Sequence, residues 1–279
     1  MTSGKPAKWG DLGIRTASAL ILVPLVIACI WFGGIWFKGF VLLLTGLIAH
    51  EWAAIVHPKN PGQYALHMAS ALCGTVLPEM FGVEGVLLAI LGIALISGFL
   101  VRFGNSVSSK WSYFGICYVG LPAIALILLR NDPDYGFAAI FWIFLIVWAA
   151  DILAYFAGRI IGGPKLAPVI SPKKTWAGLG GAVAGSALVS SIFAYTIHLN
   201  GILILAVLAG SLAVVEQAGD LFESALKRFH GVKDSGTLIP GHGGAIDRVD
   251  GLITVAVIAA LIGLFRDHGV SAARGLLHW

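Results

Sequence analysis

Charged residues are scarce in this sequence. Asp, Glu, Lys and Arg make up 11% of its 279 residues, whereas soluble domains carry about 25%. Hydrophobic residues reach 58% and are spread along the whole length, which excludes an ordinary soluble enzyme. Cysteine is also rare: Cys29, Cys73 and Cys117 each lie alone in an apolar stretch. Without a Cys-x-x-Cys pair, neither a zinc site nor a disulfide framework is indicated.

What the sequence does contain is a series of long apolar stretches. A membrane-crossing helix needs about 20 apolar residues. The pattern predicts an all-α, polytopic transmembrane protein in which residues 1–279 form one integral-membrane domain. About nine spans are expected, near 14–32, 36–56, 64–80, 83–101, 111–129, 136–158, 176–197, 201–223 and 251–266.

The basic residues fall unequally on the two sides that nine spans would create. One side holds 14 of the 18 lysines and arginines, beginning with Lys5, Lys8 and Arg15. The positive-inside rule then places the N-terminus in the cytoplasm. The two long loops, 159–175 and 224–250, fall on that same side.

An acidic stripe ends the eighth predicted span. In EQAGDLFESALKR (residues 216–228), a helical period places Glu216, Asp220, Glu223 and Lys227 on one face. Ionisable groups are costly in lipid, so this face must meet protein, water or ligand. For Glu216 and Glu223, a salt-bridged helix end is an equally good interpretation.

The loop after this stripe combines cations, glycines and carboxylates. Lys233 and Asp234 precede Pro-Gly-His242-Gly-Gly, and Asp247-Arg248-Val-Asp250 opens the ninth span. Glycine-rich backbone flanked by cations can bind phosphate oxygens. Carboxylates beside such cations are what a Mg²⁺-nucleotide site requires.

A second cluster occupies DILAYFAGRIIGGPKLAPVISPKKTWAG, residues 151–178. Asp151, Tyr155 and Arg159 share one helix face. The segment Ser171-Pro-Lys173-Lys174-Thr175 precedes the next span, where hydroxyls and lysines suit an anion. Alternatively, these lysines only reflect the general excess of basic residues on the cytoplasmic side of a membrane protein.

These segments resemble a known family. Residues 219–224 (GDLFES) and 224–250 (SALKRFHGVKDSGTLIPGHGGAIDRVD) are similar to the motif of the phosphatidate cytidylyltransferases. The Asp-x3-Tyr-x2-Gly-Arg run and Ser-Pro-Lys-Lys-Thr also match. One departure is Ala177, where the family usually has Glu. The resemblance is strong over 148–251, a catalytic segment that follows apolar helices in 1–147 and precedes the last span and tail in 251–279.

The resemblance implies transfer of CMP from CTP to phosphatidic acid, giving CDP-diacylglycerol and pyrophosphate. It implies Mg²⁺, with room for a second cation, on Asp220 and Asp247, with Asp250 and Asp234 in reserve. Phosphate or substrate contacts are expected from the other polar residues of the two clusters: Asp151, Ser171, Lys173, Lys174, Thr175, Ser224, Lys227, Arg228, Lys233, His242 and Arg248.

The expected partners are CTP, phosphatidic acid and the bilayer of the cell inner membrane, with no nucleic acid; a homodimer is compatible with the chain. Two alternatives stay open: a membrane transporter, and a cytidylyltransferase acting on a different lipid phosphate. His50 and Glu51 close the second span, where an interfacial pair is the simplest interpretation.

Overall fold

The structure, a computed structural model, describes residues 9–103, 109–236 and 243–279. Within these ranges the regular secondary structure is helical apart from one two-stranded hairpin. The elements are α1 (Trp9–Phe32), α2 (Gly34–Val56), α3 (Pro61–Val76), α4 (Pro78–Phe103), α5 (Ser109–Arg130), α6 (Gly136–Ile160), β1 (Lys165–Ala167), β2 (Ser171–Thr175), α7 (Trp176–Thr196), α8 (Ile202–Phe229), α9 (Ile246–Arg266) and α10 (Ala272–Leu277).

The predicted helical membrane architecture is confirmed. In the described part of the chain, seven helices are long and apolar enough to cross a bilayer, namely α2 and α4 to α9. Helix α3 has 16 residues, which at 1.5 Å per residue is shorter than a typical bilayer core. In α1, the apolar stretch Leu20–Phe32 is likewise shorter than a full membrane span. The expected count of nine spans therefore stays a prediction.

Buried polar side chains connect the central helices. The Trp142 indole of α6 donates to Ser190 Oγ at 2.9 Å, and the Ser190 hydroxyl of α7 donates to the Leu205 carbonyl of α8 at 3.0 Å. Trp142 and Ser190 are both fully buried. Because an unpaired polar group is costly in an apolar interior, this chain of hydrogen bonds fixes how α6, α7 and α8 stack.

The hairpin was not anticipated from the sequence, which predicted only a loop between the sixth and seventh spans. Strands β1 and β2 are antiparallel, with Lys165 opposite Thr175 and Ala167 opposite Ser171. Gly162 and Gly163 have positive φ and turn the chain out of α6. Thr175 then caps α7, because its hydroxyl accepts from the Gly178 N–H at 3.0 Å.

Two helices extend further than their apolar stretches. Helix α8 continues to Phe229, six residues beyond the predicted span, and α9 begins at Ile246, five residues before it. Hydropathy finds only the apolar part of a helix, so both polar ends were missed. The missed start of α9 carries Asp247 and Asp250.

A buried histidine beside the end of α2 makes stability depend on pH. His57 is 3% exposed, and its Nε2 lies 2.9 Å from Ser112 Oγ. Burial, with His67 and His230 nearby, lowers the pKa of His57 from 6.5 to about 4. The unfolded chain therefore binds this proton more readily than the folded protein does.

We expect the free energy of unfolding to fall as pH drops from 6.5 to about 4, by roughly 1.4 kcal/mol per pH unit. Thermal unfolding of the detergent-solubilised protein across this range measures the slope. His57→Asn should flatten it, whereas replacing the exposed His198 by Asn should not. An equal slope in wild type and His57→Asn would contradict the assignment.

Candidate active site

The acidic stripe of α8 is buried in the structure. Glu216 and Glu223 are 2% and 1% exposed, and Asp220 and Lys227 are half-buried on the same helix. Because all four lie within the protein, the requirement that this face avoid lipid is met. The stripe meets the hairpin on one side and the start of α9 on the other.

Three carboxylates converge where α8 and α9 meet. One oxygen from each of Asp220, Glu223 and Asp250 lies within 4.8 Å of the others. Gly219 permits this approach, since a Cβ there would lie 2.8 Å from Thr254 Cγ2 and 2.9 Å from the Asp250 carbonyl oxygen. Like charges this close repel unless a cation lies among them, and oxygen donors suit a hard divalent cation.

The hairpin delivers a lysine to this cluster. Lys174 Nζ on β2 lies 2.6 Å from Asp220 Oδ2 and donates to Gln217 Oε1 at 2.9 Å. The Gln217 amide in turn donates to Glu216 Oε2 at 2.8 Å. Lys174 therefore connects Asp220 with Gln217 and Glu216, which lie one turn earlier on α8.

A second lysine connects the cluster to the loop before α9. Lys227 Nζ lies 2.8 Å from Glu223 Oε1 and 2.7 Å from Asp247 Oδ1. Asp247 Oδ2 also accepts from the backbone N–H groups of Ser235 at 3.1 Å and Gly244 at 3.0 Å. Asp247 thus joins both ends of that loop to α8.

A polar pocket opens beside the cluster, between α6, the hairpin and α8. Its volume is about 450 Å³. Its polar lining consists of Asp151, Tyr155, Arg159, Lys173, Lys174, Thr175, Gln217 and Asp220. Cations and hydroxyls facing one carboxylate pair make this pocket suitable for a metal-bound polyphosphate.

An apolar cavity of about 480 Å³ lies between α5, α8 and α9. Its lining includes Phe114, Tyr118, Ala218, Phe222 and Val257. Gly219 also lines this cavity, whereas the next residue, Asp220, lines the polar pocket. A helix with apolar space on one side and a polar pocket on the other fits an amphiphilic ligand.

The sequence matches the Cytidylyltransferase family over residues 13–265. The chain belongs to this family. It is 39% identical over 282 residues to the phosphatidate cytidylyltransferase of Brucella suis, covering 94% of this chain and 97% of the relative. It is 35% identical over 261 residues to that of Pseudomonas aeruginosa (89% and 96%) and 32% over 250 residues to that of Staphylococcus epidermidis (87% and 95%).

The family match confirms the resemblance and extends it. The motifs resembled the family strongly over 148–251, whereas the match begins at residue 13 and includes the apolar helices. For this cytidylyltransferase, the structure brings several predicted site residues together. Asp151, Lys173, Lys174, Thr175 and Asp220 line one pocket, and Asp250 joins Asp220 in the acid cluster.

Other predicted residues are not part of the described lining of this pocket. Arg228, Lys233 and Asp234 are exposed, and Ser171 lies on β2 outside the described lining of the polar pocket. Ser224 lies on α8, where its hydroxyl is 3.4 Å from Asp220 Oδ1. Arg248 lies on α9. His242 falls outside the described residues. The roles assigned to all of these residues stay predictions.

Two acidic residues make contacts at the site that the sequence did not predict. Glu223 forms the salt bridge with Lys227 that one interpretation expected, and it also lies in the acid cluster. Glu51 is 1% exposed and bonded to the loop before α9, so the interpretation as an interfacial pair with His50 is wrong for Glu51. In the sequence, Glu223 could have been identified by its place on the acidic stripe of α8. Glu51 could have been identified because it is an acidic residue within an apolar span.

The close contact at Gly219 gives a test of how the cluster is assembled. Gly219→Val would force α8 and α9 apart, so we expect a loss of about 1–3 kcal/mol in the free energy of unfolding. Thermal unfolding in detergent measures it. Ala218→Val, one residue earlier on an exposed position, is the control, and equal stability of the two variants would show that the helices do not pack as described.

Proposed function

We propose that this cytidylyltransferase transfers CMP from CTP to phosphatidic acid, giving CDP-diacylglycerol and pyrophosphate. The observation that carries the proposal is the acid cluster of Asp220, Glu223 and Asp250 between a polar pocket and an apolar cavity. The polar pocket suits a triphosphate, and the apolar cavity suits acyl chains. The relatives that carry the name phosphatidate cytidylyltransferase support this choice of substrates.

The reaction needs no covalent enzyme intermediate. An anionic phosphate oxygen of phosphatidic acid attacks the α-phosphorus of CTP, the bond between that phosphorus and the bridging oxygen breaks, and pyrophosphate leaves. Since two polyanions must meet, we assign catalysis to positioning and to neutralising charge. Lys173, Lys174 and Thr175 of the polar pocket are placed to hold phosphate oxygens.

We propose that Mg²⁺ is held by Asp220, Asp250 and Glu223, whose carboxylate oxygens lie close enough to share one ion. When bound, the metal neutralises phosphate oxygens and orients them for in-line displacement. The contacts of Asp247 with Lys227, Ser235 and Gly244 favour a role in ordering the loop. A second cation, and Asp247 as a direct ligand, stay predictions.

We propose nine membrane crossings with the N-terminus and the active site on the cytoplasmic side of the inner membrane. Contacts at both ends of the helix bundle support nine crossings. At one end, Arg130 donates to the Ile30 carbonyl at 2.8 Å and Lys38 pairs with Glu79. At the other, Lys174 pairs with Asp220 and Glu51 bonds to Ala245.

Helix α3 connects the Glu51 end of this bundle to the Glu79 end. Helix α1 ends beside Arg130, so its last turn belongs to the first group of contacts. The excess of lysine and arginine at the Asp220 end then supports a cytoplasmic site. A homodimer stays a prediction.

The carboxylates give the sharpest test of this function. We expect purified protein, CTP and Mg²⁺ to convert phosphatidic acid to labelled CDP-diacylglycerol, and EDTA to stop this until Mg²⁺ is restored. Asp220→Asn and Asp250→Asn should each lower kcat by about 100-fold or more, because the cation loses a charged ligand. Asp247→Asn should also be impaired, through Lys227 and the loop.

Asp267→Asn is the matched control, since Asp267 pairs with Arg274 after α9, beyond the end of that helix opposite Asp250. Turnover at wild-type level in Asp220→Asn would contradict the metal assignment. Offering other lipid phosphates to the same enzyme separates the proposed substrate from the alternative one. Uptake by sealed liposomes without CMP transfer would favour a transporter.

The apolar cavity predicts a separate effect on the lipid substrate. Ala218→Phe would occupy part of the cavity, so the KM for dioleoyl phosphatidate should rise several-fold while the KM for CTP stays unchanged. Val207→Phe, on the exposed part of the same helix, is the control. An unchanged lipid KM in Ala218→Phe would show that acyl chains bind elsewhere.

A further inference from the structure

Glu51 lies in α2, far along the chain from the family motif, yet its side chain is buried against the loop before α9. Glu51 Oε1 accepts from the Ala245 N–H at 2.7 Å. Its Oε2 accepts from the Ile246 N–H at 2.9 Å and from Ser235 Oγ at 2.9 Å. All three donors are neutral, and the side chain is 1% exposed.

These donors come from both ends of one loop. Ser235 follows α8, whereas Ala245 and Ile246 begin α9. The first N–H groups of a helix have no partner within it, and Ala245 at the N-cap position provides no side-chain cap. Glu51 therefore caps α9 from another helix, and the partial positive charge of the helix start stabilises its buried carboxylate.

Two glycines show how closely the loop surrounds this carboxylate. A Cβ at Gly236 would lie 2.8 Å from Glu51 Oε1, and one at Gly244 would lie 2.7 Å from Oε2. Both distances are too short for a real side chain. The backbone on both sides is therefore in contact with Glu51, and its position depends on that side chain.

A continuous set of bonds leads from Glu51 to the acid cluster. Ser235 donates through its hydroxyl to Glu51 and through its N–H to Asp247 Oδ2. Asp247 pairs with Lys227, and Lys227 pairs with Glu223 of the cluster. Loss of Glu51 would release Ser235 and the start of α9, and with them Asp247.

We propose that Glu51 is a positioning residue that holds the two ends of the α8–α9 loop together and so sets Asp247, Lys227 and Glu223 for transfer of the nucleotidyl group. The proposal rests on the proposed function for its catalytic consequence. The hairpin lysines do not depend on Glu51, so CTP should still bind when Glu51 is altered.

Glu51→Gln in the full-length, detergent-purified protein tests this. The amide keeps the shape but turns an N–H₂ toward a backbone or hydroxyl donor, leaving a buried donor unpaired. We expect kcat to fall roughly tenfold while the KM for CTP stays within about twofold. Hydrogen exchange of the segment 243–250 should become roughly tenfold faster, with 182–194 in α7 unchanged.

Glu84→Gln, an exposed glutamate on α4, is the matched control and should behave as wild type. Glu51→Asp keeps the charge but is one methylene shorter, so it should not restore kcat. Full recovery by Glu51→Asp, or unchanged kcat in Glu51→Gln, would overturn the proposal. A fall in kcat with unchanged exchange at 243–250 would also overturn it.

Ser235→Ala keeps the test decisive if the Glu51 variants do not fold. It removes one of the three donors, so kcat should fall about threefold with the same local increase in exchange; wild-type kcat would count against the proposal. Absence of CMP transfer in wild type would instead refute the proposed function, and the exchange measurements would still decide whether Glu51 holds the loop.

Discussion

The acidic cluster depends on the close approach of α8 and α9. Three carboxylates within 4.8 Å of one another repel, and the fold keeps them together by packing and by cations at either side. Gly219 removes the steric barrier, Lys174 compensates Asp220, and Lys227 compensates Glu223. The hairpin supplies Lys174, and Asp247 at the start of α9 holds Lys227.

Much of the fold was predictable from the sequence because bilayer length sets a strong lower limit on apolar stretches. The limits of the helices were less predictable. The polar start of α9 carries no hydropathy signal, although it holds Asp247 and Asp250, and the predicted eighth span stopped at residue 223, before the end of α8. The hairpin was missed for a related reason: its five-residue strand contains proline and two lysines, which are poor indicators of β-structure.

The candidate site was also only partly predictable from the sequence. Lys174 and Asp220 were predicted from local motifs, and they meet in space. The sequence could not predict which of these acids joins the carboxylate cluster, because spacing alone places Asp247 and Asp250 equally on one face of α9. Only the loop geometry separates Asp247, bonded to Lys227 and two N–H groups, from Asp250 in the cluster. Glu51 lay 184 residues from its nearest partner in sequence, beyond any local pattern.

Helix α8 separates two compartments of opposite polarity, with Ala218 and Gly219 facing one and Asp220 the other. In the proposed reaction, each of the two products has a route in a different phase. Pyrophosphate is soluble only in water and leaves through the polar side, while the liponucleotide keeps its acyl chains in the bilayer and departs laterally. The two departures do not compete for one exit, so the release of one product need not wait for the other.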